Sequence, residues 1–158
     1  MVDSEVYAVT VCVLIHRDNS WLLVVRAPGV AYAPSVIGMI GGHVDVTDPE
    51  AGVLETTARR EVAEEVGLDL SGVPLRYLES GFFITDGGER QITVTFSAPA
   101  AADDEPYVNA PDELVEVGWW SLNDLEADPR CPPWLPALIR RCALSLSKGT
   151  GVSSGSAR

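Results

Sequence analysis

Two histidines, His16 and His43, are all the chain contains, which excludes a zinc site built on several imidazoles. The three cysteines, Cys12, Cys131 and Cys142, form no CxxC pair and stand near no histidine cluster, so neither a disulfide framework nor a thiolate metal site is expected. No apolar run approaches the roughly 20 residues of a membrane helix. The stretch from Met1 to His16 carries acidic residues where a secretion signal carries basic ones, and a cytoplasmic location is expected. Basic side chains are also few. Eleven Lys and Arg stand against 23 Asp and Glu, and the formal net charge of −12 disfavours nucleic acid and anionic membranes as partners.

What is present is one domain's worth of globular chain: 158 residues, 46% apolar and 22% charged. Residues Val6 to Ile15 are rich in Val, Thr and Ile and predict a strand, turning through Arg17-Asp18-Asn19-Ser20 into a second from Trp21 to Val25. A Pro/Gly loop and a short extended piece, Ser35 to Ile40, lead to the pair Gly41-Gly42. Asp48 as cap, Pro49 in the first turn and Glu50 beside it predict a helix start, with the helix running to Val66 and stopping at Gly67. Leu75 to Thr85 and Gln91 to Ala98 flank Asp86-Gly87-Gly88-Glu89 and predict a hairpin. Alternation of Ile92, Val94 and Phe96 with Thr93 and Thr95 predicts that one face of its second strand is buried. A loop from Ala98 to Pro111, a strand from Val115 to Trp120, a helical turn from Ser121 and a helix from Trp134 to Leu146 follow. Residues 147–158 read as a flexible Ser/Gly-rich tail on a domain spanning 1–146. The expected class is α/β (α+β), a mixed sheet with helices on its faces.

The chemistry concentrates in Arg60-Glu61-Val62-Ala63-Glu64-Glu65-Val66-Gly67-Leu68. Glu61, Glu64 and Glu65 stand at i, i+3 and i+4, three carboxylates within one turn near a helix C-terminus, where both mutual repulsion and the dipole oppose them. Ala51, Leu54, Ala58 and Val62 form an apolar stripe for the sheet, which directs the acidic face outward. Arg60 is positioned to offset Glu64 at i+4 or to reach back to the carbonyls of Thr56 and Thr57. An all-oxygen set of this kind selects a hard divalent ion, Mg²⁺ or Mn²⁺, of the sort that binds together with phosphates. A solvated acidic helix face is the plainer alternative.

This segment resembles the core of the Nudix hydrolase signature, G-x5-E-x7-R-E-U-x-E-E-x-G-U with U bulky and aliphatic, and REVAEEVGL matches its last nine positions. Chance produces such a match on the order of once in a hundred thousand chains of this length. Upstream the pattern departs: Gly42 lies four residues farther from Arg60 than the signature has it, and Gly52 occupies the position of the first glutamate, so a lengthened loop is expected over Val46 to Gly52. The resemblance covers about residues 5–145 and implies the Nudix α/β/α sandwich around a mixed sheet.

It further implies a metal-dependent hydrolase that cleaves the pyrophosphate of a nucleoside diphosphate linked to another moiety, a small nucleotide-type substrate, by water attack at phosphorus. Glu61, Glu64 and Glu65 match the family's metal-binding positions and the Gly41 carbonyl its backbone ligand, while Arg60 would orient Glu61. Glu113 is the choice for a further carboxylate from a later loop, with Asp112 and Glu105 as alternatives. Catalytic roles thus fall to Arg60, Glu61 and Glu64, and substrate contacts to Arg26, Gly42 and His43, with Tyr32 and the loop Val30 to Pro34 beside them. Trp119 or Trp120 either stacks on a base or fills the core, and Arg90 either touches phosphate or faces solvent. A homodimer is compatible with the resemblance. Two rival functions are a nucleotide sensor that no longer cleaves and an isomerase of isoprenyl diphosphates. The intact glutamate trio opposes the first, and the lack of an evident reactive cysteine with added histidines opposes the second.

Overall fold

The computed structural model describes residues 5–45, 47 and 51–149. Seven strands build one mixed sheet: β1 (Ala8–Arg17), β2 (Ser20–Arg26), β3 (Ile37–Gly38), β4 (Ile40–His43), β5 (Arg76–Ile84), β6 (Arg90–Pro99) and β7 (Leu114–Trp120). Three helices accompany it, α1 (Val53–Val66), α2 (Leu122–Ala127) and α3 (Trp134–Lys148). Strand β1 is the hub. It runs parallel to β6 from Ala8–Gln91 to His16–Pro99, while its other edge pairs antiparallel with β4 from Thr10 to Val13 and with β2 only from Ile15 to Arg17. Strand β2 then leaves β1 and pairs with β3 and β7. The sheet therefore splits beside β1, and the wedge between β4 and β2 is where the candidate site forms.

Each face carries its own core. Val11, Val13, Ile15, Leu22 and Val24 pack with Ala58, Val62 and Val66 of α1 on one side. Leu14, Trp21, Leu23 and Val25 pack with Leu125 of α2 and Leu135, Leu138 and Ile139 of α3 on the other. This is the expected α/β/α sandwich. With helices on both sides, Thr95 and Ser97 are buried as well as Val94 and Phe96, so the one-sided burial expected for β6 gives way to a strand covered on both faces. Trp120 fills the second core. Trp119 is half-buried against the first, its outer face under the Arg17 guanidinium at 4.2 Å.

Helix α1 begins at Val53, four residues after the expected Pro49, which with Val46, Asp48 and Glu50 lies outside the described residues. Gly52 takes a left-handed conformation (φ 68°) and its carbonyl accepts from Thr56 N–H at 2.9 Å, so the chain turns into α1 there. Ala51 precedes the helix and is exposed, so the packing stripe starts with Leu54. Helix α2 starts where expected, on a reciprocal capping box between Ser121 and Asp124. Helix α3 continues two residues beyond Leu146, and residues 150–158 lie outside the described set. No helix among the described residues is long and apolar enough to cross a membrane.

Candidate active site

The buried face of α1 consists of Thr57, Ala58, Glu61, Val62, Glu65 and Val66. Two of the three glutamates thus point into the molecule, correcting the expectation that the acidic face is directed out of the core. Glu61 is 9% exposed and Glu65 5%. Room for them comes from the glycine pair on β4. A Cβ on Gly42 would overlap the Glu61 carboxyl group, and Gly41 N–H donates to Glu65 Oε2 at 3.4 Å. Glu64, one step around the helix, stays on the solvent side.

Arg60 ties the pieces together. Its Nη1 donates to Glu61 Oε1 at 2.7 Å and to Glu64 Oε2 at 3.3 Å, and its Nη2 donates to the His43 carbonyl at 3.1 Å. Arg60 is thus bonded to the Glu61 carboxylate and also ties α1 to the end of β4. Glu61 and Glu64 give it charged acceptors, the stronger kind of partner. Of His43, the backbone carbonyl is what enters this network; the residue itself is exposed.

Burial pushes the Glu65 carboxyl up to about 8, with repulsion from Glu61 and Glu113 adding to it and the Gly41 N–H and Arg26 offsetting part. Glu61 is raised for the same first reason, burial, against the pull of Arg60, with Glu64 and Glu113 adding repulsion. Glu113 is exposed on the loop before β7, but its charge reaches both buried carboxylates. Its backbone carbonyl accepts from Ala27 N–H at 2.7 Å, which fixes that loop to the end of β2. Asp112 and Glu105 are also exposed, and neither contributes to these shifts. Arg26, at the same end of β2, donates from Nε to the Tyr32 carbonyl at 2.8 Å with its guanidinium 5.8 Å from the Tyr32 ring. Arg90 lies elsewhere, paired with Glu5 at 3.2 Å.

Among the described residues no three His, Cys, Asp or Glu side chains converge into a ready metal cluster. Glu61 and Glu65 are buried beside the glycine pair, Glu64 is linked to Glu61 through Arg60, and the charge of Glu113 is felt by both buried carboxylates. Two desolvated carboxylates held beside backbone glycines, with one arginine committed to Glu61, form an oxygen-only donor set with excess negative charge. Such a set fits a hard divalent cation.

Three features of the site were not legible in sequence. The thiol of Cys12 is buried beside the carboxylates, and burial first, then Glu65 and Glu61, push it up to about 12, so it is no nucleophile. The acidic loop after β6 docks on the C-terminus of α1: Tyr107 N–H donates to the Val66 carbonyl at 3.1 Å, Asn109 N–H to Glu65 at 2.9 Å, and Asn109 Nδ2 to Ala63 at 3.1 Å. These amides satisfy the helix end that the carboxylates would otherwise crowd. Gly67 is doubly required, by its left-handed φ of 70° and by the Tyr107 ring, which would overlap any Cβ there. The third feature is a side-chain bond between Thr10 and Gln91 at 2.8 Å.

The chain resembles known proteins in sequence and in fold. The NUDIX domain family model matches residues 6–142. The NAD-capped RNA hydrolase NudC of Deinococcus radiodurans is 31% identical over 137 residues, covering 84% of this chain; the chain spans 43% of the length of that relative. The MutT NUDIX hydrolase of Burkholderia pseudomallei superposes with a TM-score of 0.69 at 26% identity, covering 87% of this chain and 98% of that one. A NUDIX hydrolase of Nitrosomonas europaea gives 0.69 at 21% identity over 95% and 99%, a likeness of fold. On the length of the family match and the identity to a named member, the chain belongs to the Nudix family.

Proposed function

We propose that the protein hydrolyses the pyrophosphate bond of a nucleoside diphosphate linked to another moiety, with Mg²⁺ or Mn²⁺ held by Glu61, Glu64 and Glu65, the Gly41 carbonyl and Glu113. The observation that carries this reading is the buried Glu61–Glu65 pair seated against Gly41 and Gly42, with Arg60 holding Glu61. Held by these residues, a divalent ion would supply a lowered pKa for its water and positive charge to offset the phosphates. Arg60 keeps Glu61 in one orientation and links it to β4. Gly42 lets the carboxylate approach the strand, and Arg26 supplies positive charge on the far side of the wedge, where an anionic substrate meets an otherwise acidic protein. The relative named for action on NAD-capped RNA supports a nucleotide-type diphosphate as the substrate class.

The test is phosphate release, with a coupled phosphatase where the products require it, from nucleoside triphosphates, ADP-ribose, NADH and dinucleoside polyphosphates. The reading expects hydrolysis of one class that needs Mg²⁺ or Mn²⁺, stops in EDTA and is lost in Glu61→Gln. Tight binding of one compound with no cleavage of any would overturn it in favour of a sensor.

A further inference from the structure

The sheet ends on β5. In the strand order β3-β2-β1-β6-β5 it pairs with β6 along one edge, and no described strand pairs with the other. An antiparallel strand turns alternate backbone N–H and C=O groups away from its neighbour, so the outer edge of Arg76–Ile84 presents a row of donors and acceptors with no strand to meet them. Nine residues make that row about 30 Å long. Ser80, Gly81 and Phe82 are exposed at its middle, consistent with an open edge.

Soluble proteins blunt such edges with lysine, proline, short strands or bulges. The segment Arg76-Tyr77-Leu78-Glu79-Ser80-Gly81-Phe82-Phe83-Ile84 holds no lysine and no proline. Its register shift lies between Tyr77 and Glu79, which leaves Glu79 to Ile84 regular. Its one carboxylate is already answered, because Glu79 accepts from Arg141 Nε at 3.0 Å and Nη2 at 2.8 Å. The strand also carries apolar surface. Phe82 stands opposite Ile92 on the face that α1 covers only over β4 and β1, and Phe82 and Ile84 are 57% and 58% exposed. Tyr7, edge-on to Phe82 with ring centroids 5.9 Å apart, extends the patch.

Charge selects what covers this edge. The net charge of −12 repels an acidic segment, and β5 offers a basic one no uncommitted carboxylate. The two ends of the edge carry opposite signs, with Arg76 exposed at its start and Asp86 exposed two residues past its end. A second copy of the strand, laid antiparallel, brings Arg76 of each copy to Asp86 of the other. The favourable contact then occurs twice, whereas a parallel copy sets like charge against like.

We propose that β5 is an interface between two copies of this chain, joined edge to edge and antiparallel about a two-fold axis near Gly81, so that one sheet runs through both. The axis stands normal to the sheet and keeps each face on its own side, so the Phe82 patches of the two copies adjoin. Such an isologous contact closes on itself and consumes the edge that would otherwise template open-ended pairing. The inference is independent of what the carboxylate site does.

Sedimentation equilibrium of the full chain at micromolar concentration is expected to give a dimer. Phe82→Lys and Ile84→Lys, each placing a charge on the exposed edge, should sediment as monomers with an unchanged circular dichroism spectrum. Arg76→Glu or Asp86→Arg alone should weaken association about tenfold, since symmetry makes each change count at two contacts, and the double reversal should recover it. Hydrogen exchange of the wild type needs no variant: amides within residues 76–84 should slow as concentration rises. A wild-type monomer would overturn the proposal and leave the edge to an extended peptide of another protein. A dimer untouched by both lysine variants, single reversals that the double does not rescue, or concentration-dependent protection confined to other strands would each overturn it as well.

Discussion

The carboxyl group of Glu61 occupies the space that a side chain on Gly42 would fill. Gly42→Ala must displace either the carboxylate or strand β4. Overpacking of this kind costs about 1–3 kcal/mol in stability, while a catalytic group moved by about 1 Å loses about a hundredfold in rate. A fall in kcat/KM of that order, with the circular dichroism spectrum kept, is the expected outcome of assaying the purified variant.

Arg60 bridges Glu61, Glu64 and the His43 carbonyl through two nitrogens of one planar fork, so its role depends on shape as well as charge. Arg60→Lys keeps the charge but cannot span the same partners. Its activity should fall close to that of Arg60→Ala, and the Mn²⁺ concentration for half-maximal rate should rise in both. Activity near wild type in the lysine variant would show that charge alone suffices.

Glu61 and Glu65 are two buried carboxylates that repel one another, so the site costs stability. Replacing either with Gln keeps the shape and removes a carboxyl group that folding must either bury charged or force to take up a proton. In EDTA at neutral pH, Glu65→Gln should melt higher than wild type while its hydrolytic activity is lost, a trade familiar at functional sites. Adding millimolar Mg²⁺ should raise the melting temperature of wild type by mass action and leave the Glu61→Gln, Glu65→Gln double variant unmoved. Equal metal-induced shifts in both would place the ion elsewhere.

Asn109 closes the end of α1 through its backbone N–H on Glu65 and its side chain on Ala63. Asn109→Ala removes the second bond and should cost about 1 kcal/mol, or about 3 °C in melting temperature for a domain of this size. Asn109→Gly should cost more, since it also loosens the backbone that carries the first bond. Differential scanning calorimetry distinguishes the two.

The strands, the end of α1 and the glutamate trio were legible because each rests on neighbours in sequence: alternation for the strands, helical spacing for the carboxylates, Gly67 for the stop. The start of α1 was not: Asp48-Pro49-Glu50 carries the local marks of a helix start, whereas α1 begins at Val53, with the Gly52 carbonyl accepting from Thr56 N–H. The inward turn of Glu61 and Glu65 was hidden for a different reason. Spacing says which residues share a helix face, but whether that face meets apolar side chains or a glycine strand depends on how β4 pairs with β1. Thr10 and Gln91 are 81 residues apart, and only the parallel β1–β6 register makes them neighbours.

The segment between α2 and α3 is held by a charge cluster that gives the fold a defined acid limb. Arg130 grips Asp128 with Nε at 3.0 Å and Nη2 at 2.8 Å, and reaches Glu116 of β7 with Nη1 at 2.6 Å. Its carbonyl accepts from Ile37 N–H at 3.0 Å, so the cluster also secures β3. The Arg130 side chain, then its backbone N–H, holds the Asp128 carboxyl down at about 2, against 3.8 for the free group. A depressed folded-state value means the unfolded chain binds the proton more readily. The stabilisation is therefore fully present above about 4 and is lost as pH falls through about 2. Because the cluster is open to solvent the contribution is small, about 1 kcal/mol. Asp128→Asn should accordingly melt a few degrees below wild type at pH 7, with the gap closing between pH 4 and pH 2. A gap that stayed constant to pH 2 would mean that the carboxylate's charge is not what holds the segment.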